Sequence, residues 1–317
     1  MTSPKEVKVL YIIGWGRSGS TIMANLLNEI DGFFHAGELI YLWERGLLEG
    51  RRCGCGRVIR ECELWSDVLR RSFGDNFAST VDAEHMVQAQ RDEVRVRHTW
   101  QLLKRPADQL PQDGALRRYS EAMLSLYQQI ATVTGARVVV DSSKRPSDAA
   151  FLRLLPGVTP YYVHLVRDPR AVAYLWARKK AQLDRNRPAL LSPHSVLDST
   201  TSWLSWNLAA ESLRKRAGAE HFSLVRYEDF VSGPHAVLEQ ILDLVGESGA
   251  SLPLSEDKAA EMSTNHTVSG NPDRFSTGKI KLREDREWRT KQATSDRLLT
   301  TLVALPLLHR YDYALRG

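Results

Sequence analysis

The stretch Tyr11–Leu27, which reads YIIGWGRSGSTIMANLL, constrains the fold more strongly than any other part of the chain. An apolar run over Val7–Ile13 leads into a glycine-rich turn, and a helical pattern begins near Thr21. A short apolar run that ends at a glycine turn is typical of a strand buried on both faces of a parallel sheet. The stretch therefore predicts a strand, a tight turn and a helix in succession.

Strand and helix patterns keep alternating further along the chain. Strands are predicted at Phe33–Ala36, Arg137–Asp141, Tyr161–Val166 and Phe222–Arg226, and a helical pattern follows each of the last three. This alternation indicates βαβ units with parallel strands. We therefore predict an α/β fold, with a P-loop-like central parallel sheet flanked by helices.

The region between the second and third strands has a different character. Helical patterns cover Ala83–Leu103 and Ala115–Val133, and the loop KRPADQLPQDG separates them. We predict a helical insertion over about residues 66–135 that covers one end of the sheet. The segment Asp184–Thr200 has two prolines and few periodic apolar residues, which predicts a surface loop over the site. A chain of 317 residues is long enough for one large α/β domain, so we predict a single domain over residues 1–317.

Charge and hydropathy narrow the choice of partners. The formal net charge is +5, but the 43 Lys and Arg residues are scattered among 38 Asp and Glu residues rather than gathered in one tract. This pattern favours a small anionic ligand over a nucleic acid. No run reaches the roughly 18 apolar residues of a membrane span, and MTSPKEVKVLYII lacks a secretory pattern. We therefore expect a cytoplasmic protein without a membrane span.

Three cysteines lie close together in the stretch RRCGCGRVIRECELW, at Cys53, Cys55 and Cys62. An odd number of cysteines argues against a secreted disulfide scaffold. Zinc would need a fourth ligand, and no further Cys or His lies nearby at a usual metal-binding spacing. We therefore expect three reduced thiols and no metal.

The turn after the first strand resembles a phosphate-binding loop that lacks its lysine. Gly14 and Gly19 bracket four residues as in G-x-x-x-x-G-K-[ST], but Ser20 stands at the lysine position. Backbone N–H groups and the helix dipole at such a turn attract an anion. Arg17, earlier in the turn, carries a planar guanidinium that can bind a tetrahedral oxyanion through two hydrogen bonds without a metal.

Basic side chains also gather where the strand Tyr161–Val166 ends. Arg167 follows the strand directly, and Asp168 and Pro169 have the residue types of an N-cap and a first helical turn. The basic residues after them are Arg170, Arg178, Lys179 and Lys180. Ligands of open parallel sheets bind at this edge, so a second anion-binding region is expected here.

Four motifs in this order, GWGRSGST, VHLVRDPRAVAYLW, LVRYEDF and GNPDRFSTG, resemble the sulfotransferases that use 3′-phosphoadenylyl sulfate (PAPS). The resemblance extends from about Val7 to Trp288. It implies a sulfotransferase fold, PAPS as the co-substrate, adenosine 3′,5′-bisphosphate (PAP) as the product, and no obligatory metal. It also explains the missing lysine, because a donor that ends in a sulfuryl group has no γ-phosphate to reach.

The resemblance implies roles for individual residues at the nucleotide. In the family the first loop holds the 5′-phosphosulfate, and the matching residues are Arg17, Ser18, Gly19, Ser20 and Thr21. It implies that Arg167 binds the 3′-phosphate, that Tyr227 lies beside the adenine, and that Arg274 belongs to a loop closing over the nucleotide.

One position departs from the family pattern. The family commonly has a serine eight residues after the arginine that binds the 3′-phosphate, and this chain has Leu175 there. Arg178 or Lys179, one turn further along, would supply the missing contact.

Sulfuryl transfer to an alcohol needs a base for the hydroxyl proton and a cation near the leaving oxygen. The GE in FFHAGELIYLWERG resembles the base of tyrosylprotein sulfotransferases, which favours Glu38, and His35 is the competing base. The resemblance suggests Lys144 as the cation, and Ser142 and Ser143 as hydrogen-bond partners of the acceptor or the sulfuryl oxygens.

Several tryptophans are candidates for the lining of an acceptor pocket. The candidates are Trp43, Trp100, Trp176, Trp203 and Trp206, which would line an apolar or glycosidic pocket unless they belong to the core. We predict in-line transfer of a sulfuryl group from PAPS to a hydroxyl, or alternatively an amine, of a small-molecule or glycosidic acceptor. Glu38, Lys144 and Arg17 are the predicted catalytic residues.

Two other functions compete with this prediction. RVVVD, which ends in Asp141, also matches a Walker B strand, as in a magnesium-dependent P-loop kinase or NTPase. The missing lysine argues against that function. A nucleotide-binding module without catalysis is the third possibility, and a positioned base would argue against it.

Overall fold

A parallel sheet forms the centre of the structure, a computed structural model that describes residues 6–75, 80–178, 181–185, 189–190 and 192–315. The strands are, in chain order, β1 (Val7–Ile13), β2 (Phe33–Gly37), β3 (Val138–Lys144), β4 (Val158–Val166), β5 (Ala181–Gln182), β6 (Ala189–Leu190), β7 (Phe222–Arg226), β8 (Ala259–Met262) and β9 (Gly278–Lys281). Five of them form the central sheet in the order β2-β3-β1-β4-β7, and each neighbouring pair is parallel. The others pair as two antiparallel ribbons, β5 with β6 and β8 with β9. The predicted α/β fold is therefore confirmed.

Helices cover both faces of the central sheet. In chain order they are α1 (Ser20–Asn28), α2 (Glu63–Phe73), α3 (Thr80–Glu93), α4 (Thr99–Lys104), α5 (Gly114–Thr134), α6 (Pro146–Leu152), α7 (Pro169–Ala177), α8 (Val196–Ala217), α9 (Tyr227–Ser232), α10 (Pro234–Leu244), α11 (Trp288–Lys291) and α12 (Thr294–Leu308). A π-helical segment spans Leu42–Leu48, and 3₁₀ turns span Leu39–Tyr41, Ile59–Glu61, Val96–His98, Ala219–His221 and Pro272–Phe275. Across the described residues, none of these helices has the length and apolar character that crossing a membrane requires.

Strand β1 is buried on both faces because β3 and β4 flank it and helices cover it on either side. Leu10 and Ile12 belong to an apolar layer with α1, α9 and α10, whereas Val9 and Tyr11 belong to a second layer with α2, α5 and α6. Successive residues of a strand face opposite sides of the sheet, so a strand covered on both sides needs an uninterrupted apolar sequence. This requirement explains the run VKVLYII.

The helices α2 to α5 lie between β2 and β3, where the helical insertion was predicted. α5 packs on β1 and β3, and α2 and α3 pack on α5. The single helical pattern over Ala83–Leu103 forms two helices, α3 and α4. Between them, His98 Nδ1 accepts a hydrogen bond from the backbone N–H of Arg95 at 3.1 Å, which takes this donor out of the helical ladder.

Several predicted segments differ from the structure in their bounds. Strand β4 begins at Val158, three residues before the predicted start at Tyr161. Strand β3 continues past Asp141 to Lys144, because its polar end is buried in the sheet although it has no apolar signature. The surface loop predicted over Asp184–Thr200 is wrong at its end, where α8 begins with Ser195 as its cap and Ser195 Oγ accepts from the Asp198 N–H at 3.1 Å. Residues 186–188 and 191 of that prediction lie outside the described residues.

The turn after β1 requires glycine at position 14. Gly14 has a φ of +144°, and a Cβ atom there would lie 2.3 Å from the carbonyl oxygen of Leu165 in β4. On its other side, the Gly14 N–H donates to the carbonyl oxygen of Lys144 in β3 at 3.1 Å. The three central strands therefore end too close together for any side chain.

We expect Gly14→Ala to destabilise the chain strongly, because the added methyl group meets backbone atoms that cannot move aside. The free energy of unfolding should fall by more than about 3 kcal/mol, from overpacking together with an unfavourable backbone conformation. Urea denaturation followed by circular dichroism measures this change.

Gly135→Ala is the matched control. Gly135 also has a positive φ, +70°, but a Cβ atom there would meet nothing within 4 Å. Its loss should be limited to about 1–2 kcal/mol of left-handed backbone strain. Equal unfolding midpoints for the two variants would contradict the importance of the contact with Leu165.

Candidate active site

The five strands of the central sheet end at one cavity of about 940 Å³. Each strand is followed by a residue that lines this cavity. These residues are Arg17 after β1, Glu38 after β2, Lys144 at the end of β3, Arg167 after β4 and Tyr227 after β7. The carboxyl ends of parallel strands share one edge of a sheet, which is where open α/β sheets bind ligands. The fold thus brings together five residues that were predicted from separate motifs.

The turn between β1 and α1 presents backbone N–H groups to the cavity. Gly19 precedes α1 with a φ of +92°, no side chain caps the helix, and its first turn has no acidic residue. Gly19, Ser20 and Thr21 all line the cavity. The uncapped N–H groups and the positive end of the helix dipole are suited to hold an anion. A Cβ atom on Gly19 would lie 2.5 Å from the ring of Tyr227, so the turn packs directly on this tyrosine.

Ser18 has a different place from the rest of the turn. Its hydroxyl donates to the carbonyl oxygen of Trp15 at 2.8 Å, and the side chain is buried and absent from the cavity lining. The Ser18 hydroxyl therefore stabilises the turn itself, and only its backbone N–H remains for a ligand.

Arg17 carries a guanidinium without a counter-ion at ion-pair distance among the described residues. The guanidinium lies over the ring of Trp176, 4.9 Å from its centroid, and its Nε atom is buried without a hydrogen-bond partner. Burial lowers the pKa of Arg17, although the charges of Asp273 and Glu38 act in the opposite direction. An anion in the cavity would both pair with this group and satisfy its Nε.

Glu38 and Lys144 form an ion pair in the wall of the cavity. Lys144 Nζ donates to Glu38 Oε1 and also to the carbonyl oxygen of Ser142 at 2.9 Å. Glu38 Oε2 lies 4.0 Å from Arg45 Nη1. Burial alone would raise the pKa of Glu38, but Lys144 and Arg45 outweigh it and hold this pKa below its ordinary value. Glu38 is therefore ionised at neutral pH and can accept a proton.

Arg17 and Lys144 share an unusual backbone conformation. Arg17 has a φ of 68° and Lys144 a φ of 72°, in the left-handed region that residues with a side chain rarely occupy. Such strain, of order 1–3 kcal/mol for each residue, persists where the surrounding structure imposes it and concentrates at functional sites. The strained backbone therefore determines the direction in which both cationic side chains leave the chain.

His35, the competing base, lies behind the cavity wall rather than in it. Its Nδ1 atom is 3.2 Å from Asn25 Oδ1, its Nε2 atom is 3.0 Å from Ser142 Oγ, and it does not line the cavity. Burial, and then the charges of Lys144 and Arg274, lower the pKa of His35 to about 3. The ring is therefore neutral and held on both nitrogens, which favours a packing role.

Arg167 lines the cavity beside Tyr227 and close to the turn after β1. Its guanidinium lies over the Tyr227 ring, 4.1 Å from the centroid, and its Nε atom is buried without a hydrogen-bond partner among the described residues. Nη1 donates to the carbonyl oxygen of Arg17 at 3.2 Å, and Nη2 lies 3.3 Å from Asp285 Oδ2. Asp285, which the sequence analysis did not identify, is therefore the internal partner of the predicted phosphate-binding arginine.

The position of the missing serine is part of the cavity as well. Leu175 lines it, and so does Arg178, whose Nη1 is 3.0 Å from Glu287 Oε2 on the exposed side. Lys179 lies outside the described residues.

Arg274 does not line the cavity. Its side chain is 1% exposed, and its guanidinium donates to the carbonyl oxygens of Thr267 and Arg52, the latter at 2.7 Å. Asp184 lies 3.8 Å away. These contacts indicate a structural role for Arg274 as a link between backbone segments. A nucleotide contact was expected from the sequence instead.

Aromatic side chains cover one wall of the cavity. Trp176 and Trp206 line it as the sequence analysis considered, together with Trp15, whose ring centroid is 5.6 Å from that of Trp176 and 4.7 Å from that of Trp206. Trp43 and Trp203 are fully buried in the core, and Trp100 is exposed on the surface. Trp15 was present in the first motif, GWGRSGST, but its neighbours in sequence do not indicate which way its ring points.

Asp141, the candidate Walker B carboxylate, faces away from the cavity. Its Oδ2 accepts from the Tyr127 hydroxyl at 2.6 Å, and its Oδ1 accepts from the backbone N–H and hydroxyl of Ser143. Burial raises the pKa of Asp141 to about 6 against these hydrogen bonds. A carboxylate whose oxygens are used in this way is poorly suited to hold magnesium, which disfavours the kinase and NTPase alternative.

Comparisons with known proteins identify the family of the chain. The sulfotransferase domain from the curacin biosynthetic pathway has a TM-score of 0.52 at 15% sequence identity, covering 98% of this chain and 99% of that one. The sulfotransferase domain from the Synechococcus PCC 7002 olefin synthase has a TM-score of 0.49 at 18% identity, covering 99% of this chain and 98% of that one. Sulfotransferase STF9 from Mycobacterium avium has a TM-score of 0.45 at 13% identity, covering 100% of this chain and 79% of that one. At these identities a likeness concerns the fold alone, and only the first reaches a TM-score of 0.5. No curated protein sequence matches the chain significantly. The model of the sulfotransferase family matches residues 10–249, most of the chain, and the chain therefore belongs to the sulfotransferase family.

Proposed function

We propose that the chain transfers a sulfuryl group from PAPS to a hydroxyl group of a small-molecule or glycosidic acceptor, with Glu38 as the general base. One observation carries this proposal: the anion site formed by Arg17 and the N-terminus of α1 shares a cavity with the Glu38–Lys144 ion pair. An anionic donor and a proton-accepting carboxylate would thus share one cavity. A nucleotide-binding module without catalysis would not require this arrangement.

Two sets of residues in the cavity suit the two charged groups of PAPS. Arg17, Ser20 and Thr21, with backbone N–H groups of the turn, would hold the 5′-phosphosulfate, and Arg167 would hold the 3′-phosphate. The buried Nε atoms of Arg17 and Arg167 have no hydrogen-bond partner, and an anionic oxygen would satisfy each of them. Among the described residues that line the cavity, six are Lys or Arg and three are Asp or Glu, which favours a polyanionic ligand.

The size and the walls of the cavity leave space for an acceptor. Small-molecule sites commonly measure about 300–1,000 Å³, and the volume of about 940 Å³ lies near the upper limit. Trp176 and Trp206 offer flat apolar surfaces on which a sugar ring or an aromatic acceptor can pack. A hydroxyl held between this wall and Glu38 would be correctly placed for attack.

Each residue of the ion pair has a defined part in the proposed reaction. PAPS supplies the sulfuryl group, whose bond to the bridging 5′-phosphate oxygen breaks as its bond to the acceptor oxygen forms. Glu38 takes the acceptor's hydroxyl proton, and Lys144 donates a hydrogen bond to the bridging oxygen as charge develops there. Their contact before substrate binding keeps Glu38 ionised and orients both groups.

The reaction is tested by incubating the purified chain with ³⁵S-labelled PAPS, EDTA and a panel of phenolic, alcoholic and glycosidic acceptors, with detection by mass spectrometry. We expect magnesium-independent sulfation of at least one acceptor by the wild type. Glu38→Gln should lower kcat by about 10²–10⁴-fold, because the base is lost, while calorimetry shows unchanged PAP affinity.

Glu44→Gln is the matched control for Glu38→Gln. Glu44 follows Glu38 in the chain, on the π-helical segment Leu42–Leu48, and pairs with Arg91 at the surface, so activity should not change. Normal turnover in Glu38→Gln would remove this residue as the base. Magnesium-dependent ATP hydrolysis without transfer from PAPS would overturn the proposed function as a whole.

Lys144 should control the pH dependence of the reaction. Because Lys144 lowers the pKa of Glu38, the wild-type kcat/KM should fall only when the pH drops below the ordinary glutamate value of about 4.3. In Lys144→Met, burial is no longer offset to the same extent, so the acid limb should move to higher pH and the rate should be lower throughout. Lys144→Arg keeps the charge and should keep the acid limb in place. Superimposable pH profiles for the Met and wild-type proteins would contradict this coupling.

Asp285 should compete with the 3′-phosphate for Arg167. In Asp285→Asn the negative charge next to the guanidinium is gone, so PAP should bind several-fold more tightly, and the effect should weaken at high salt. Titration calorimetry at two ionic strengths measures both changes. Glu284→Gln, which removes the neighbouring carboxylate that pairs with Arg286, should leave PAP affinity unchanged. Weaker PAP binding by Asp285→Asn would show that Asp285 supports the nucleotide site.

A further inference from the structure

Outside the cavity, the fold gathers four potential metal ligands that the proposed reaction does not use. Cys53, Cys55 and Cys62 come from the loop before α2, and His266 comes from a segment 204 residues further along than Cys62. Their sulfur and nitrogen atoms all lie within 4.8 Å of one another. No fourth ligand lies near the cysteines in the sequence, and the fold supplies one from a distant segment.

The distances fit a tetrahedral zinc ion. Zn–S bonds of about 2.3 Å and Zn–N bonds of about 2.0–2.1 Å place the sulfurs of a regular tetrahedron about 3.8 Å apart and a sulfur and a nitrogen about 3.5 Å apart. Cys55 Sγ and Cys62 Sγ are 3.8 Å apart. His266 Nδ1 is 3.8 Å from Cys53 Sγ and 3.2 Å from Cys62 Sγ. These three separations lie within tenths of an ångström of the tetrahedral values, and the remaining ones are at most 4.8 Å.

The surroundings of the cluster suit a closed metal site. Cys62 is the N-cap residue of α2, at the positive end of the helix dipole, which favours a thiolate there. Cys53 and Cys62 are fully buried, which limits exchange of the sulfurs with solvent.

We propose that Cys53, Cys55, Cys62 and His266 bind one Zn²⁺ ion in a closed, structural Cys₃His site. Thiolate and imidazole ligands favour zinc among the abundant divalent metals, and four protein ligands leave no open position for catalysis. On binding, the three thiols release their protons to solvent, and His266 coordinates through Nδ1 with its proton on Nε2.

The zinc site would fasten one wall of the active-site cavity. Next to the cluster, the Gly54 N–H donates to the carbonyl oxygen of Thr267 at 3.0 Å, and the Trp65 indole donates to that of His266 at 2.6 Å. The same segment continues to Gly270, Asn271 and Asp273, which line the cavity. A Cβ atom on Gly270 would lie 3.8 Å from Glu38 Oε1. The ion would thus connect the loop before α2 to the segment that borders Glu38, the predicted base.

Metal analysis of the intact chain tests the site. The wild type, purified without chelators in a phosphine reductant, should carry one zinc per chain by plasma mass spectrometry. Replacement by Co²⁺ should produce thiolate-to-cobalt charge-transfer bands and the visible bands of a tetrahedral ion. After removal of the reductant, the thiols should react slowly with a disulfide reagent until zinc is extracted with 1,10-phenanthroline, which should also lower the melting temperature.

His266→Ala provides the variant and His309→Ala its matched control. His266→Ala should lose most of the bound zinc and its melting temperature should no longer respond to the chelator, whereas the exposed His309→Ala should behave as the wild type. If His266→Ala does not fold, the cobalt spectrum and zinc content of the wild type decide the question. Zinc far below one per chain, with no cobalt–thiolate band, overturns the proposal. So does a Cys55–Cys62 disulfide in protein purified without reductant under anaerobic conditions.

Discussion

Parallel pairing of β1 with β3 and β4 is the constraint on which the rest of the structure depends. Because all five strands run in one direction, the segments that follow them emerge at one edge, and each delivers at least one side chain to the cavity. Glycine at position 14 permits the closest approach, between the turn after β1 and β4. The apolar cores on both faces of the sheet hold this edge in place without contributing polar groups to it.

The described residues that line the cavity carry more positive than negative charge. Arg17 lacks an ion-pair partner among the described residues, and Arg167 has only the half-exposed Asp285, so burial of these cations costs free energy that an anionic ligand would recover. Glu38 is the exception, because Lys144 and Arg45 surround it. The same low-dielectric enclosure therefore attracts a polyanion and keeps one carboxylate ready to accept a proton.

The sequence predicted those features that follow from local pattern, and long-range packing determined the others. The buried strand β1, the glycine turn and the residues just past each strand could be identified, because periodicity and motif order reveal them. Burial of Arg274 and the inward hydroxyl of Ser18 could not, since motif membership does not determine which way a side chain points. His266 approaches the cysteines only through folding of a distant segment, and no spacing rule identifies such a ligand. The polar end of β3 lacks the apolar signature of a buried strand.

The left-handed backbone at Arg17 and Lys144 lowers stability at two positions whose side chains the proposed reaction uses. Glycine at either position would relax the chain and remove a cation, so variants selected for heat resistance should drift toward replacement of the groups that the proposed reaction uses. Thermostable engineering of this scaffold must therefore draw its gains from the outer helices, and leave the strained edge of the sheet alone.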